Sequence, residues 1–153
     1  MKTLIALIGR IEKAAAVLAA LALAALFLLG LAEVTLRTLF SYSIPISLEY
    51  SGYLVAASFL LGSGWTLSQD RHVRLAIFEN RPAIETLATG IALALSLGLS
   101  YGLAAWAIGS FEKGDVSFFP SATPLWIPQG GLALGALVLS LSLLKRLLSG
   151  AKP

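Results

Sequence analysis

Cysteine is missing from the 153 residues, which excludes disulfides, thiolate metal sites and cysteine nucleophiles. A single histidine leaves no pair to ligate haem, and without cysteine no quinone-linked redox work can be assigned. His72 likewise has no second His or Cys with which to share a metal. Charge is scarce too: 12% of residues are charged, where a soluble domain typically carries about 25%. Hydrophobic residues make up 58%, and mean hydropathy is +0.86. That balance leaves too little polar surface to face water on all sides. Lipid must be the solvent for much of the chain. No P-loop, glycine-rich dinucleotide turn or nucleophile–base pair is present. No catalytic apparatus is visible, and neither a cofactor nor a nucleic-acid partner is expected.

What the chain has in quantity is apolar length. Uncharged runs cover residues 14–32, 50–69, 86–111 and 116–144. A hydrocarbon layer of about 30 Å needs roughly 20 helical residues. The runs therefore predict four transmembrane helices over approximately 14–32, 48–69, 86–111 and 125–144 of one all-α domain. Barrel strands would alternate apolar with polar residues, whereas Ala19-Ala20-Leu21-Ala22-Leu23 is apolar on every face. A helix also satisfies its own backbone inside lipid. The first run is longer than the roughly 7–15 residues of a signal-peptide core and lacks a small-x-small site after Leu31, so it reads as a retained helix.

Basic residues mark the cytoplasmic side. Nine of the eleven fall in alternate segments: Lys2, Arg10 and Lys13; Arg71, Arg74 and Arg81; Lys145, Arg146 and Lys152. Only Arg37 and Lys113 remain on the opposite side. Four crossings with both ends inside satisfy that pattern, and an odd number does not.

Leu4, Ile5, Leu7, Ile8 and Ile11 line one side at helical spacing. They predict a short amphipathic helix lying in the interface, with a plain extension of the first span as the alternative. Pro128 suits the first turn of the last helix. Gly98 and Gly102 in the third span, and Gly131 and Gly135 in the fourth, repeat at the four-residue interval that lets helix backbones approach. They serve packing within the chain or against a partner.

Ionisable residues near a membrane are functional candidates by default. Glu49 leads them, opening the second span with Ser47 as a possible N-cap. Its alternative is an ion pair to a basic group on a neighbouring helix or subunit. Glu33 and Arg37 sit at i, i+4, a favourable pairing direction; a lipid phosphate on Arg37 and an Arg37–Glu49 bridge are the other readings. Arg71, His72 and Arg74 form a turn suited to anionic head groups or to a docking partner.

The stretch RTLFSYSIPISLEYSGYLVAASFLLGSGWTLSQDRHVR, residues 37–74, resembles the small membrane subunit (Q, or DctQ-type) of the tripartite ATP-independent periplasmic (TRAP) transporters. The matching positions are Arg37, Glu49, Tyr53, Phe59, Gly62, His72 and Val73, together with Thr123-Pro124-Leu125-Trp126-Ile127-Pro128-Gln129-Gly130. The family's tryptophan shortly before the glutamate is absent, with Ile46 and Leu48 there instead. The resemblance implies a non-enzymatic inner-membrane subunit of a bacterial sodium-driven importer. An obligate large subunit would carry substrate and sodium. A periplasmic binding protein would transiently deliver an organic acid such as a dicarboxylate or a sialic acid. Glu49, Tyr53, Phe59 and Gly62 are the expected partner interface, and phospholipids the expected surroundings.

The rival reading is a small homo-oligomeric proton-coupled drug exporter. Such a mechanism wants a carboxylate near mid-bilayer, usually in the first helix, and the first span has none.

Overall fold

The computed structural model describes residues 2–69 and 82–149. Arg71, His72, Arg74 and Arg81 of the expected basic turn lie outside the described residues. The described residues form four helices: α1 (Lys2–Phe40), α2 (Ser47–Ser68), α3 (Pro82–Lys113) and α4 (Trp126–Ser149). At about 1.5 Å per residue, the 22 residues of α2 reach roughly 33 Å and the 39 of α1 roughly 58 Å. Among the described residues, three helices are long and apolar enough to cross a membrane: Thr3–Phe40, Ala83–Lys113 and Trp126–Ser149. The shorter α2 is more polar, with Glu49, five serines and three glycines among its residues.

The separate amphipathic helix expected at the N-terminus is corrected by the structure. Residues 2–13 are the opening turns of α1, which runs on without interruption. Nothing at Lys13-Ala14-Ala15-Ala16 breaks a helix, and alanine has the highest helix propensity. Ile8 and Glu12 are buried, so these turns pack on protein as well. The expected Ser47 cap is also corrected. Ser47 is the first helical residue, and Ile46 occupies the cap position without a side-chain hydrogen bond. Pro45 sets that start, because the residue before a proline is driven out of the helical region.

The other ends have local causes. Gly114 adopts φ 68 after α3, its N–H donating to the Phe111 carbonyl (3.3 Å) while Asp115 N–H donates to Ser110 (2.9 Å). This closes the helix by a Schellman motif, in which a left-handed residue is needed and glycine has no Cβ to oppose it. Pro82 opens α3 and Pro128 lies in the first turn of α4, where a missing N–H leaves no bond unmade.

Helices α2 and α4 form the central pair, α1 packs on α2 and touches α4, and α3 packs on α4. The central crossing is close because it has glycine on both sides. A Cβ on Gly64 would stand 2.7 Å from Ser142 Oγ, and one on Gly135 would stand 2.8 Å from Leu60 Cβ. Against α3, the Ser96 and Ser140 hydroxyls meet at 2.9 Å, and Ser100 donates to the Ala133 carbonyl at 3.2 Å. Outward, α1 exposes Val17, Leu21, Phe27, Leu28 and Leu31, and α3 exposes Leu87, Ile91, Leu95 and Tyr101. Water would not tolerate such faces, and lipid does.

Candidate functional site

Polar side chains gather at the two ends of the helix cluster. At the first end, α1 finishes at Phe40 and Ser41 turns the chain with φ 52. The Glu33 carboxylate then holds the turn. Its Oε1 accepts from the Ser43 hydroxyl (2.6 Å) and its Oε2 from the Ile44 N–H (2.8 Å). Arg37 Nη2 lies 3.2 Å from Glu33 Oε1 and donates to Ser43 Oγ at 3.3 Å. Glu33 and Arg37 thus meet one another, and the Arg37–Glu49 bridge does not form.

Glu49 is buried in the first turn of α2, and its partners are hydroxyls. Oε1 accepts from Tyr53 (2.9 Å) and Oε2 from Ser121. Ser121 in turn accepts from the Thr123 N–H (3.2 Å) and hydroxyl (2.9 Å), and Thr123 Oγ1 lies 3.1 Å from the Tyr50 hydroxyl. No cationic side chain reaches Glu49 among the described residues. The carboxylate therefore fastens the α3–α4 connection onto α2.

That connection is itself ordered. An antiparallel bridge joins Val116 to Pro124, Ser117 N–H donates to the Thr123 carbonyl (2.9 Å), and Leu125 N–H donates to Asp115 (3.0 Å). Pro120 occupies the second position of a β-turn closed by Ala122 N–H on Phe119 (3.0 Å). Ala122 takes φ 46, a conformation costing a non-glycine residue roughly 1–2 kcal/mol. It sits between the two residues that reach Glu49 and Tyr50. Phe118 stands fully exposed in this connection. At its base, Phe111 and Trp126 pack edge-to-face at 5.6 Å.

At the far end, consecutive basic residues of α4 reach in two directions. Lys145 Nζ donates to Glu12 Oε2 on α1 at 2.6 Å, and Arg146 pairs with Glu85 in the first turn of α3. Glu85 in the first turn of α3 and Arg146 in the last turn of α4 each have the sign that suits the helix terminus. Glu12 is 1% exposed. The sequence carries no expectation for Glu12, Glu85 or Ser121; Lys145 and Arg146 enter it as markers of the cytoplasmic side and Thr123 within the family-like stretch, none of them as a contact.

The other expected residues fall on different surfaces. Phe59 is exposed, whereas Gly62 faces α1 with its Cβ position 3.5 Å from Ala19 Cβ. Gly135 is the close approach to α2, while Gly98, Gly102 and Gly131 open onto empty space. Among the described residues, no three His, Asp or Glu side chains come together as a metal site.

Against this geometry, residues 26–152 match the family described as tripartite ATP-independent periplasmic transporters, DctQ component. The chain belongs to the DctQ family. The match begins within α1 and includes α2, α3 and α4 in full, so both Glu33 and Glu49 lie inside it while Glu12 precedes it. No curated protein and no solved structure matches the chain. With three apolar helices of membrane length, this DctQ chain is a multi-pass membrane protein and a transporter component.

Proposed function

We propose that the chain is the small, non-catalytic subunit of a TRAP-type secondary transporter in a bacterial inner membrane. It holds the large sodium-coupled subunit, which imports an organic acid delivered by a periplasmic binding protein. The observation carrying this reading is the family match over residues 26–152. In it α2 is a fourth crossing, and both termini face the cytoplasm with the Lys145–Glu12 end. Glu33, Glu49 and the 114–125 connection then face the periplasm.

Chemistry supports a holder over a carrier. A transport route wants ionisable groups at mid-membrane depth, and the charged residues of these helices lie toward their ends. Exposed Phe59 and the half-buried Tyr53 are the proposed contacts to the large subunit, with Glu49 shaping that interface from behind through the 114–125 connection and Gly62 seating α2 on α1.

The test is affinity purification of the tagged chain from native membrane in mild detergent, followed by mass spectrometry. One large multi-span protein in near-equal amount is the expected result, and Glu49→Ala should lower its recovery. Recovery of the chain alone as a stable homodimer would overturn the proposal and favour an exporter. Undiminished recovery and uptake by Glu49→Ala would remove Glu49 from the interface.

A further inference from the structure

Between the end of α1 and the start of α2 lies an open groove of about 490 Å³, lined by Glu33, Arg37, Ser43, Leu48, Ser51 and Phe119 among others. Its floor also includes Gly30, where an added Cβ would meet nothing within 4 Å. We propose that this groove seats a phospholipid, its phosphodiester on Arg37 and one acyl chain running past Gly30 between α1 and α2.

The guanidinium is available. Arg37 is 70% exposed, and its contacts with Glu33 and Ser43 both use Nη2. Its Nη1 and Nε donors have no hydrogen-bond partner among the described residues. Glu33 holds the side chain in place, so the planar fork is presented with little freedom left to lose, the arrangement that suits a phosphate.

The groove is also at the right depth. Gly30 belongs to the uncharged run that ends at residue 32, and Arg37 stands seven residues further on. That is about 10 Å along a helix axis, of which the five residues beyond the apolar run span about 7–8 Å, close to the roughly 5–7 Å head-group layer of one leaflet. The lower wall is apolar, formed by Gly30 and the exposed Leu48, and it continues into the exposed Phe27 and Leu31 of α1.

Free phosphate fits less well. Arg37 and Glu33 sum to no net formal charge, so a dissolved anion gains little long-range attraction there. It also leaves the apolar half of the groove unfilled. A lipid fills both halves and is held at this depth by the bilayer.

The test uses whole membranes containing the full chain and its natural partners. A phosphatidylglycerol with a photoactivatable diazirine in one acyl chain is incorporated, and labelled peptides are mapped. Labelling is expected to concentrate on residues 27–51, to fall about tenfold in Arg37→Gln and Gly30→Leu, and to stay unchanged in Lys113→Gln. Labelling spread evenly along α1 and α3, or unchanged in both groove variants, would overturn the proposal, as would protection of the groove by a neighbouring protein. Native mass spectrometry of the purified chain separates the phosphate sources. Displacement of the retained lipid by millimolar inorganic phosphate would make this a free-anion site and overturn the lipid assignment.

Discussion

Replacing Lys145 with methionine keeps an apolar stem of similar reach and removes only the charge that meets Glu12. The pair is 2.6 Å apart, with Glu12 1% exposed and Lys145 22% exposed. Glu12 Oε1 has no hydrogen-bond partner among the described residues, so there Oε2 and its lysine carry the compensation of that carboxylate. Breaking a buried pair by removing one partner costs about 3–5 kcal/mol. Water reaching the lysine side puts Lys145→Met at the lower end, about 3 kcal/mol or roughly a hundredfold in the folded-to-unfolded ratio. Glu12→Met costs less, because the orphaned ammonium can swing toward water on its flexible stem. The double variant should return to within about 1 kcal/mol of the native chain, since two thioethers fill the space without an unpaired charge.

The ordering is the test, read by denaturant titration from mild detergent with tryptophan fluorescence. Lys145→Met should be least stable, Glu12→Met intermediate and the double variant closest to native. A Lys145→Met chain within about 1 kcal/mol of native would refute the reasoning. So would a double variant no better than Lys145→Met, because Lys145 would then be stabilising by some route other than neutralising Glu12.

The small residues should separate by what they face. Gly135→Ala puts a Cβ 2.8 Å from Leu60 Cβ and is expected to cost about 1–3 kcal/mol. Gly98→Ala meets open space and should gain about 0.5–1 kcal/mol from helix propensity; equal effects at the two sites in the same titration would contradict the α2–α4 crossing. Gly114→Ala keeps φ 68 only at a cost of roughly 1 kcal/mol, and an unchanged midpoint would mean that α3 ends without it. Glu49→Leu removes both hydroxyl contacts to the carboxylate, so hydrogen exchange should quicken at the Ser117 and Thr123 amides. Unaltered exchange would show that the backbone bridge alone holds the connection.

The helices could be read from the sequence because charges bound every apolar run, although the helix ends could not. Bilayer thickness limits a span, not the helix that contains it, so α1 continues to Phe40 and α4 to Ser149. The Glu33–Arg37 contact follows from i, i+4 spacing. The Glu12–Lys145 and Glu85–Arg146 pairs do not, because their partners lie 133 and 61 residues apart. Depth would have found them: Glu12 and Glu85 precede the first and third apolar runs, and Lys145-Arg146 follows the fourth. Glycine spacing fails for a different reason. Gly131 and Gly135 share a repeat, yet one faces open space and the other Leu60. Period gives a stripe and not what the stripe faces.

The distribution of polar contacts also bears on the proposed holding role. At mid-height the hydroxyls are consumed in packing: Ser140 donates to the Ala136 carbonyl and meets Ser96, Ser100 takes the Ala133 carbonyl, and Ser142 bonds back to Val138. Each satisfies a group that lipid would leave unpaired, and among the described residues these bonds leave no row of polar atoms to hydrate a path. The Lys145–Glu12 and Arg146–Glu85 pairs tie α4 to α1 and α3 at one rim, and Glu49 ties α2 to the 114–125 connection at the other. A carrier must let its helices part around a cargo. Helices fastened at both rims, with glycine-close contact between, resist that parting, which is the mechanical property the proposed holder of a moving partner requires.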